Sequence, residues 1–220
     1  MTTLAIVGAG PGLGLAVARR FGREGFAVAL IARNARKLDA LAQELGVDGI
    51  TAAGFAADVR DRASLQAALD AAAGRLGEIE IVQYSPLPAR EYMKPVLDTT
   101  ADDLVGPLQL SVLGPVTVVQ RVLPGMRRMG RGTLLFPNGA SAARPRDAAT
   151  GTSVAFAAES AYAQLLHDAL APENIHVAQL IIPLGIGGGE PDHEPEALAD
   201  RLWSLHAERG RFRTFVRPLD

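Results

Sequence analysis

The stretch that decides the fold is TLAIVGAGPGLG, residues 3–14. Thr3–Val7 has the length and apolar character of a buried strand. The glycines that follow have the spacing G-x-x-x-G-x-G, and a helical segment, Gly12–Gly22, starts among them. A helix that begins directly after such a turn offers free N–H groups and the positive end of its dipole to an anion. The stretch therefore predicts a parallel α/β unit with an anion site at its first turn.

The same alternation of segments continues along the chain. Strands are predicted at Thr3–Val7, Ala27–Ala32, Thr51–Phe55, Ile79–Tyr84, Thr133–Phe136, His176–Ile182 and Thr214–Val216. Helices are predicted at Gly12–Gly22, Ala35–Leu45, Asp61–Leu76, Ala101–Met129, Ser153–Leu170 and Pro195–Arg209. Asp61 is the predicted N-cap of its helix, and Ser153 is a candidate for the same role. The alternation predicts a three-layered α/β fold, a doubly wound parallel sheet of about seven strands, in one domain over residues 1–220.

Composition narrows the functional classes. The net charge of −2 among 220 residues gives no electrostatic footprint for nucleic acid, so no such partner is predicted. The absence of cysteine excludes disulfides and thiolate chemistry and fits a cytoplasmic location. No apolar run approaches the roughly 18 residues that span a bilayer, so no membrane partner is predicted. The four histidines have no metal-ligand spacing, and we predict no metal site.

The residues after the second strand indicate which ligand the glycine turn binds. A turn of this kind brings the backbone close to a dinucleotide pyrophosphate, and NAD-binding domains add a carboxylate near the end of the second strand for the ribose 2′-hydroxyl. Here Arg33 stands beside that position, and Arg36 and Lys37 follow. The planar guanidinium suits a 2′-phosphate. The sequence thus favours NADP(H) over NAD(H); the alternative is that Arg33 is only a solvated surface charge.

From Thr3 to about Leu219 the chain resembles the short-chain dehydrogenase/reductase family. The matching features are the glycines Gly8, Gly12 and Gly14, the dipeptide Asp58-Val59 with its acidic first residue, the strand Gly132–Phe136, the strand start Asn174–Val177 and the turn Pro183-Leu184-Gly185. In this family these features correspond to the phosphate-binding turn, an adenine contact, the strand before a catalytic serine and a Pro-Gly turn. The resemblance implies a Rossmann-type fold and an NAD(P)-dependent oxidoreductase.

Together, the glycine turn, the second strand and the resemblance assign a set of residues to the cofactor. The set is Gly8, Gly10, Gly12, Leu13, Gly14, Arg33, Asn34, Asp58, Val59, Ser85, Glu159, Pro183, Gly185 and Ile186. Glu159 is expected to accept hydrogen bonds from ribose hydroxyls.

The chain departs from the family at the catalytic positions. The family's proton-donating tyrosine and the lysine one helical turn later are expected at Ala155 and Glu159, and its asparagine at Ser111. The serine position falls on Gly139 by strand alignment or on Ser141 by spacing to the next helix. Since alanine has no proton to give and glutamate reverses the lysine's charge, the usual acid–base apparatus is missing.

Two residues remain as candidates for catalysis. Ser141 is expected either to bind a substrate carbonyl or to cap a loop, and Tyr84 either to donate a proton or to pack in the core. Two functions stay open. One is an NADP(H)-dependent oxidoreductase with a degenerate site for an unknown carbonyl or alcohol. The other is a non-catalytic NADP(H)-binding sensor or partner subunit.

The two long helical segments predict self-association. Residues 153–170 contain only two ionised side chains, Glu159 and Asp168, and six alanines. An apolar helix face left in water is a liability, and small residues allow close helix contact. We therefore expect a homodimer or homotetramer built on helices 101–129 and 153–170, as the resemblance also implies.

Overall fold

The computed structural model describes residues 1–219, so the last residue of the predicted domain, Asp220, lies outside the described residues. Seven parallel strands form one sheet in the order β3-β2-β1-β4-β5-β6-β7. The strands are β1 Thr3–Val7, β2 Ala27–Ala32, β3 Ala52–Ala56, β4 Ile79–Tyr84, β5 Gly132–Gly139, β6 Ile175–Ile182 and β7 Arg213–Phe215. The predicted doubly wound parallel sheet is confirmed.

Helices cover both faces of this sheet. They are α1 Leu13–Gly22, α2 Ala35–Val47, α3 Arg62–Leu76, α4 Ala101–Leu108, α5 Gly114–Met129, α6 Thr150–Leu170 and α7 Pro195–Glu208. Alternate residues of β1 point to opposite layers: Leu4 and Ile6 pack with α1, α2 and α7, whereas Ala5 and Val7 pack with α3, α5 and α6. Within residues 1–219, no helix combines the length and the hydrophobicity needed to cross a membrane.

The strand order reverses between β1 and β4, and this reversal positions the site. The chain moves outward from β1 to β3 and then returns to place β4 on the other side of β1. β1 and β4 remain paired up to their carboxyl ends, where the Ser85 N–H donates a hydrogen bond to the Val7 carbonyl at 2.9 Å. Ligands of open α/β sheets bind in the crevice that such a reversal opens at the carboxyl ends of the strands.

The predicted helix 101–129 is not continuous. A π-helical turn, Gln109–Leu113, separates α4 from α5. Pro107 and Pro115 flank this turn and lack the N–H groups that an unbroken helix would use. The turn leaves the Leu110 carbonyl to accept a hydrogen bond from the Tyr84 hydroxyl. Residue 114 must be glycine here, because a Cβ at Gly114 would overlap that hydroxyl.

The start of α6 also differs from the prediction. The helix begins at Thr150, so Ser153 is not its N-cap. Ser153 is buried in the helix instead, and its hydroxyl exchanges hydrogen bonds with the backbone N–H and carbonyl of Arg146, at 3.0 and 3.2 Å. Asp61 does cap α3, as predicted, and accepts from the backbone N–H groups of Ala63 and Ser64.

Candidate active site

A cavity of about 770 Å³ opens at the carboxyl edge of the sheet, where β1 and β4 separate. Twelve of the predicted site residues line it: Gly8, Gly10, Gly12, Leu13, Gly14, Tyr84, Ser85, Ser141, Glu159, Pro183, Gly185 and Ile186. The cavity joins the glycine turn at one end to α6 at the other.

The glycine turn has the shape of a phosphate cradle. Gly8 has φ +94°, and a Cβ there would lie 2.6 Å from the backbone nitrogen of Pro86, so this position requires glycine. Cβ atoms at Gly10 and Gly12 would instead face open space. No side chain caps α1, which begins at Leu13, so its first N–H groups have no partner within the helix. The turn and the helix end therefore fit a dinucleotide pyrophosphate.

The remaining predicted cofactor residues follow β2 and β3, outside the cavity wall: Arg33, Asn34, Asp58 and Val59. Arg33 is exposed and has no ion pair with a described residue. The Asn34 side chain caps α2 by accepting from the Lys37 N–H at 3.1 Å. Arg60 holds the Asp58 carboxylate at 2.9 Å and lowers its pKa, and Arg33 lowers it further.

Tyr84 is buried, with only 1% of its surface exposed. Its hydroxyl donates to the Leu110 carbonyl, so its hydrogen is already engaged by the protein. Burial, and then the charges of Glu159 and Asp58, raise the pKa of Tyr84 well above its usual value. The geometry favours the packing role of Tyr84 over the role of proton donor.

The face of α6 that meets the cavity includes only one of the two residues predicted to lie there. Thr152, Phe156 and Glu159 line the cavity, but Ala155 is buried outside the wall. Of the predicted pair, Glu159 therefore lies in the wall and Ala155 does not. The family's tyrosine and lysine are four residues apart on one helix. Among the described residues of α6, the two cavity-lining positions with this spacing are Thr152 and Phe156. Neither threonine nor phenylalanine supplies a phenol or an ammonium group.

Glu159 is a buried carboxyl in the cavity wall, with 2% of its surface exposed. Its Oε1 atom has no hydrogen-bond partner among the described residues. Burial raises the pKa of Glu159 to about 8, although the side chains of Asn138 and Ser111 oppose this effect. The carboxyl is therefore mostly protonated at neutral pH, and its O–H group is a hydrogen-bond donor.

A buried polar network, which the sequence did not predict, holds Asn138 beside Glu159. The Asn138 carbonyl oxygen accepts from the Gln179 side chain at 2.8 Å. Gln179 in turn accepts from Ser160 at 2.9 Å and from Arg213 at 2.8 Å. The signal that could have revealed the network is Gln179 itself, a polar residue inside the apolar run of β6.

Ser141 lies in a short turn after β5, largely buried in the cavity wall beside Gly139. Thr152 contributes a second hydroxyl, whose oxygen has no partner among the described residues. Arg146, on the loop before α6, is the exposed cation of this wall. Within residues 1–219, no group of three His, Cys, Asp or Glu side chains is arranged to hold a metal ion.

Comparison with known proteins identifies the family to which this site belongs. The family model of the short chain dehydrogenases matches residues 2–186. The chain therefore belongs to this family, and the glycine turn, the crevice and the whole cavity wall fall inside the matched region.

Relatives and solved structures agree with this assignment. D-threitol dehydrogenase of Mycolicibacterium smegmatis is 36% identical over 130 residues, which are 59% of this chain and 49% of that protein. The matched segment thus spans about half of that relative. A short-chain dehydrogenase structure from Rhodopseudomonas palustris superposes with a TM-score of 0.86 at 26% identity and covers 99% of both chains. A metagenomic short-chain oxidoreductase in complex with NADP gives 0.85 at 20% identity and covers 99% of this chain and 97% of that one.

Proposed function

We propose that this protein is an NADP(H)-dependent oxidoreductase that interconverts a carbonyl compound and an alcohol without the family's usual tyrosine and lysine. The observation that carries the proposal is one continuous cavity, which runs from a phosphate-shaped glycine turn to a buried carboxyl. Active sites of open α/β sheets are expected in a cleft where the strand order reverses, and titratable groups with shifted pKa values are typical of such sites.

The chain's own residues fit the dinucleotide. The backbone at Gly10 and Gly12 and the free N–H groups that begin α1 would hold the pyrophosphate. Arg33, exposed at the end of β2, would bind the 2′-phosphate of NADP(H) through its planar fork. The NADP complex of the structurally similar metagenomic oxidoreductase supports this choice. When bound, NADPH supplies the hydride that reduces a carbonyl carbon.

Ser141 is the residue we assign to the substrate oxygen. Ser141 belongs to the cavity wall and lies in the short turn, Ala140–Ala142, that follows β5. The apolar side chains of Met93, Leu184 and Ile186, each of them partly exposed, line the rest of this region. A serine hydroxyl in this position can donate a hydrogen bond to a substrate carbonyl oxygen.

Calorimetric titration of NADPH and NADH tests the cofactor assignment. A charge-assisted hydrogen bond contributes about 1.5–3 kcal/mol. Arg33→Ala should therefore weaken NADPH binding roughly tenfold to a hundredfold and leave NADH binding unchanged. Arg23→Ala is the matched control, because Arg23 is also an exposed arginine but follows the C-terminus of α1, the end away from the glycine turn. Wild-type protein that binds NADH at least as tightly as NADPH would contradict the assignment.

A second function is favoured by one observation. The described cavity wall contains no lysine, and its tyrosine, Tyr84, is engaged by Leu110. A non-catalytic NADP(H)-binding sensor or partner subunit would have such a wall. NADPH binding without NADPH consumption across a panel of ketones, aldehydes and quinones would establish this function and exclude the first.

We also propose that the protein is a homodimer or homotetramer. The side of α6 away from the sheet carries Val154, Ala157, Ala161 and Leu165, all of them exposed. Their spacing of three or four residues places them in one apolar stripe along the helix. A second copy of α6 would bury this stripe. The cytoplasmic location and the absence of nucleic-acid and membrane partners stay predictions.

A further inference from the structure

We propose that Glu159, whose carboxyl lies in the cavity wall with an unpartnered oxygen, donates the proton that carbonyl reduction requires. This assignment rests on the proposed function, since it names the group that replaces the missing tyrosine. It gives Glu159 a chemical role instead of the ribose contact that its sequence position suggested.

The first argument is the inventory of the wall. Its described titratable side chains are Tyr84, Arg146 and Glu159. Tyr84 gives its hydrogen to the Leu110 carbonyl. Arg146 is exposed, and its guanidinium group suits the binding of an anion. Glu159 is the member of this set with a buried carboxyl oxygen that has no hydrogen-bond partner among the described residues.

The second argument is the environment of the carboxyl. A buried carboxyl without a cationic partner keeps its proton because the charged form is poorly solvated. Burial raises the pKa of Glu159 to about 8, which is close to the range where a general acid works best. Asn138 and Ser111 lower this pKa, and thus stabilise the carboxylate that remains after the proton has left. Gln179 keeps Asn138 in place.

The groups around Glu159 are mostly uncharged. The strands β5 and β6 and the π-helical turn contribute Asn138, Gln179 and Ser111. Tyr84, on β4, carries a charge that would repel the Glu159 carboxylate only when the tyrosine hydroxyl is ionised. Arg213 on β7 reaches the network through Gln179. Titration near neutral pH at this place in the cavity is therefore assigned to Glu159.

The step is a single proton transfer. In the direction of reduction, the O–H bond of Glu159 breaks and an O–H bond forms on the substrate's carbonyl oxygen, while the carbonyl carbon receives the hydride of the proposed reaction. The alcohol leaves, and Glu159 remains as a carboxylate that regains a proton from solvent. In the direction of oxidation the carboxylate accepts the alcohol's proton.

The test compares wild type, Glu159→Gln and Asp168→Asn. The glutamine side chain retains the shape of glutamate without an acidic proton, and Asp168 is an exposed carboxylate on the same helix. The infrared C=O stretch of a protonated carboxylic acid is recorded in the protein without cofactor, between pH about 5 and about 9. We expect a band at neutral pH that titrates near pH 8 in wild type and Asp168→Asn and is missing in Glu159→Gln. Circular dichroism confirms that all three proteins are folded.

The same proteins are then mixed with NADPH and 2,3-butanedione as the carbonyl probe. Wild-type turnover should fall above about pH 8, and Glu159→Gln should lose about 10²- to 10⁴-fold together with that pH dependence. Absence of the infrared band, or an active wild type matched by Glu159→Gln, would overturn the donor role alone. NADPH binding with no consumption by wild type would overturn the proposed function, and the donor role with it.

Discussion

The stability of Glu159→Gln as a function of pH is the prediction that the structure makes most quantitatively. The carboxyl has an ordinary pKa of 4.5 in the unfolded chain, and burial raises it to about 8 in the folded protein. Between these values the folded state holds a proton that the unfolded state has released. Because protons are lost on unfolding, the free energy of unfolding of wild type must fall as the pH rises through this window.

The magnitude follows from the two pKa values. Each pH unit inside the window lowers the free energy of unfolding by about 1.4 kcal/mol, so the whole window corresponds to at most about 5 kcal/mol. The contribution is complete below pH 4.5 and is lost once the pH has passed about 8. Glutamine does not titrate, so Glu159→Gln lacks this contribution to the slope.

Urea denaturation between pH about 5 and about 8 measures the effect. We expect the stability of wild type relative to Glu159→Gln to decline steadily as the pH rises. Asp168→Asn, which changes an exposed carboxylate on the same helix, should follow wild type. A wild-type advantage that stays constant or grows with pH would show that Glu159 is ionised in the folded protein, and the reasoning from burial would be refuted.

Four further variants test other parts of the structure. Tyr84→Phe should lower the free energy of unfolding, measured by urea denaturation, by about 1–3 kcal/mol, because the Leu110 carbonyl loses its hydrogen-bond donor. Loss of turnover without a change in stability would instead indicate that Tyr84 is a proton donor. Gly8→Ala should cost more than about 1 kcal/mol, because its φ is +94°, whereas Gly10→Ala should stay within about 0.5 kcal/mol; equal costs would contradict the geometry of the turn. Leu165→Glu should reduce the mass seen by light scattering to that of one chain, and an unchanged oligomer would exclude the α6 stripe as the interface.

Most of the sheet could be predicted from the sequence because its strands are buried on both faces. The strands β1, β2 and β4 have the predicted limits, and β6 begins one residue earlier. Each is composed mostly of apolar residues, as expected for strands buried on both faces. The glycine turn could be predicted equally well, because its spacing and its place between a strand and a helix are typical of a phosphate-binding turn. These signals are local, and the fold follows from their order along the chain.

The parts that could not be predicted depend on contacts between distant segments. The π-helical turn exists where the Tyr84 hydroxyl meets the Leu110 carbonyl, which no periodicity reveals. The face of α6 that lines the cavity depends on where the helix begins, and Ala149, the residue before its first turn, has no side chain that could cap it. The raised pKa of Glu159 depends on burial by β5 and the π-helical turn, so the sequence identified the residue but not its protonation state.

A crystal structure of the protein with NADP⁺ bound tests the central claim most directly. The account predicts the pyrophosphate on the backbone of the glycine turn, the 2′-phosphate at Arg33 and the nicotinamide in the cavity beside Glu159. A substrate carbonyl placed at reacting distance, about 3–3.5 Å from the nicotinamide, should then lie within reach of the Glu159 carboxyl. An empty glycine turn, or a nicotinamide ring separated from Glu159 by other side chains, would contradict the account.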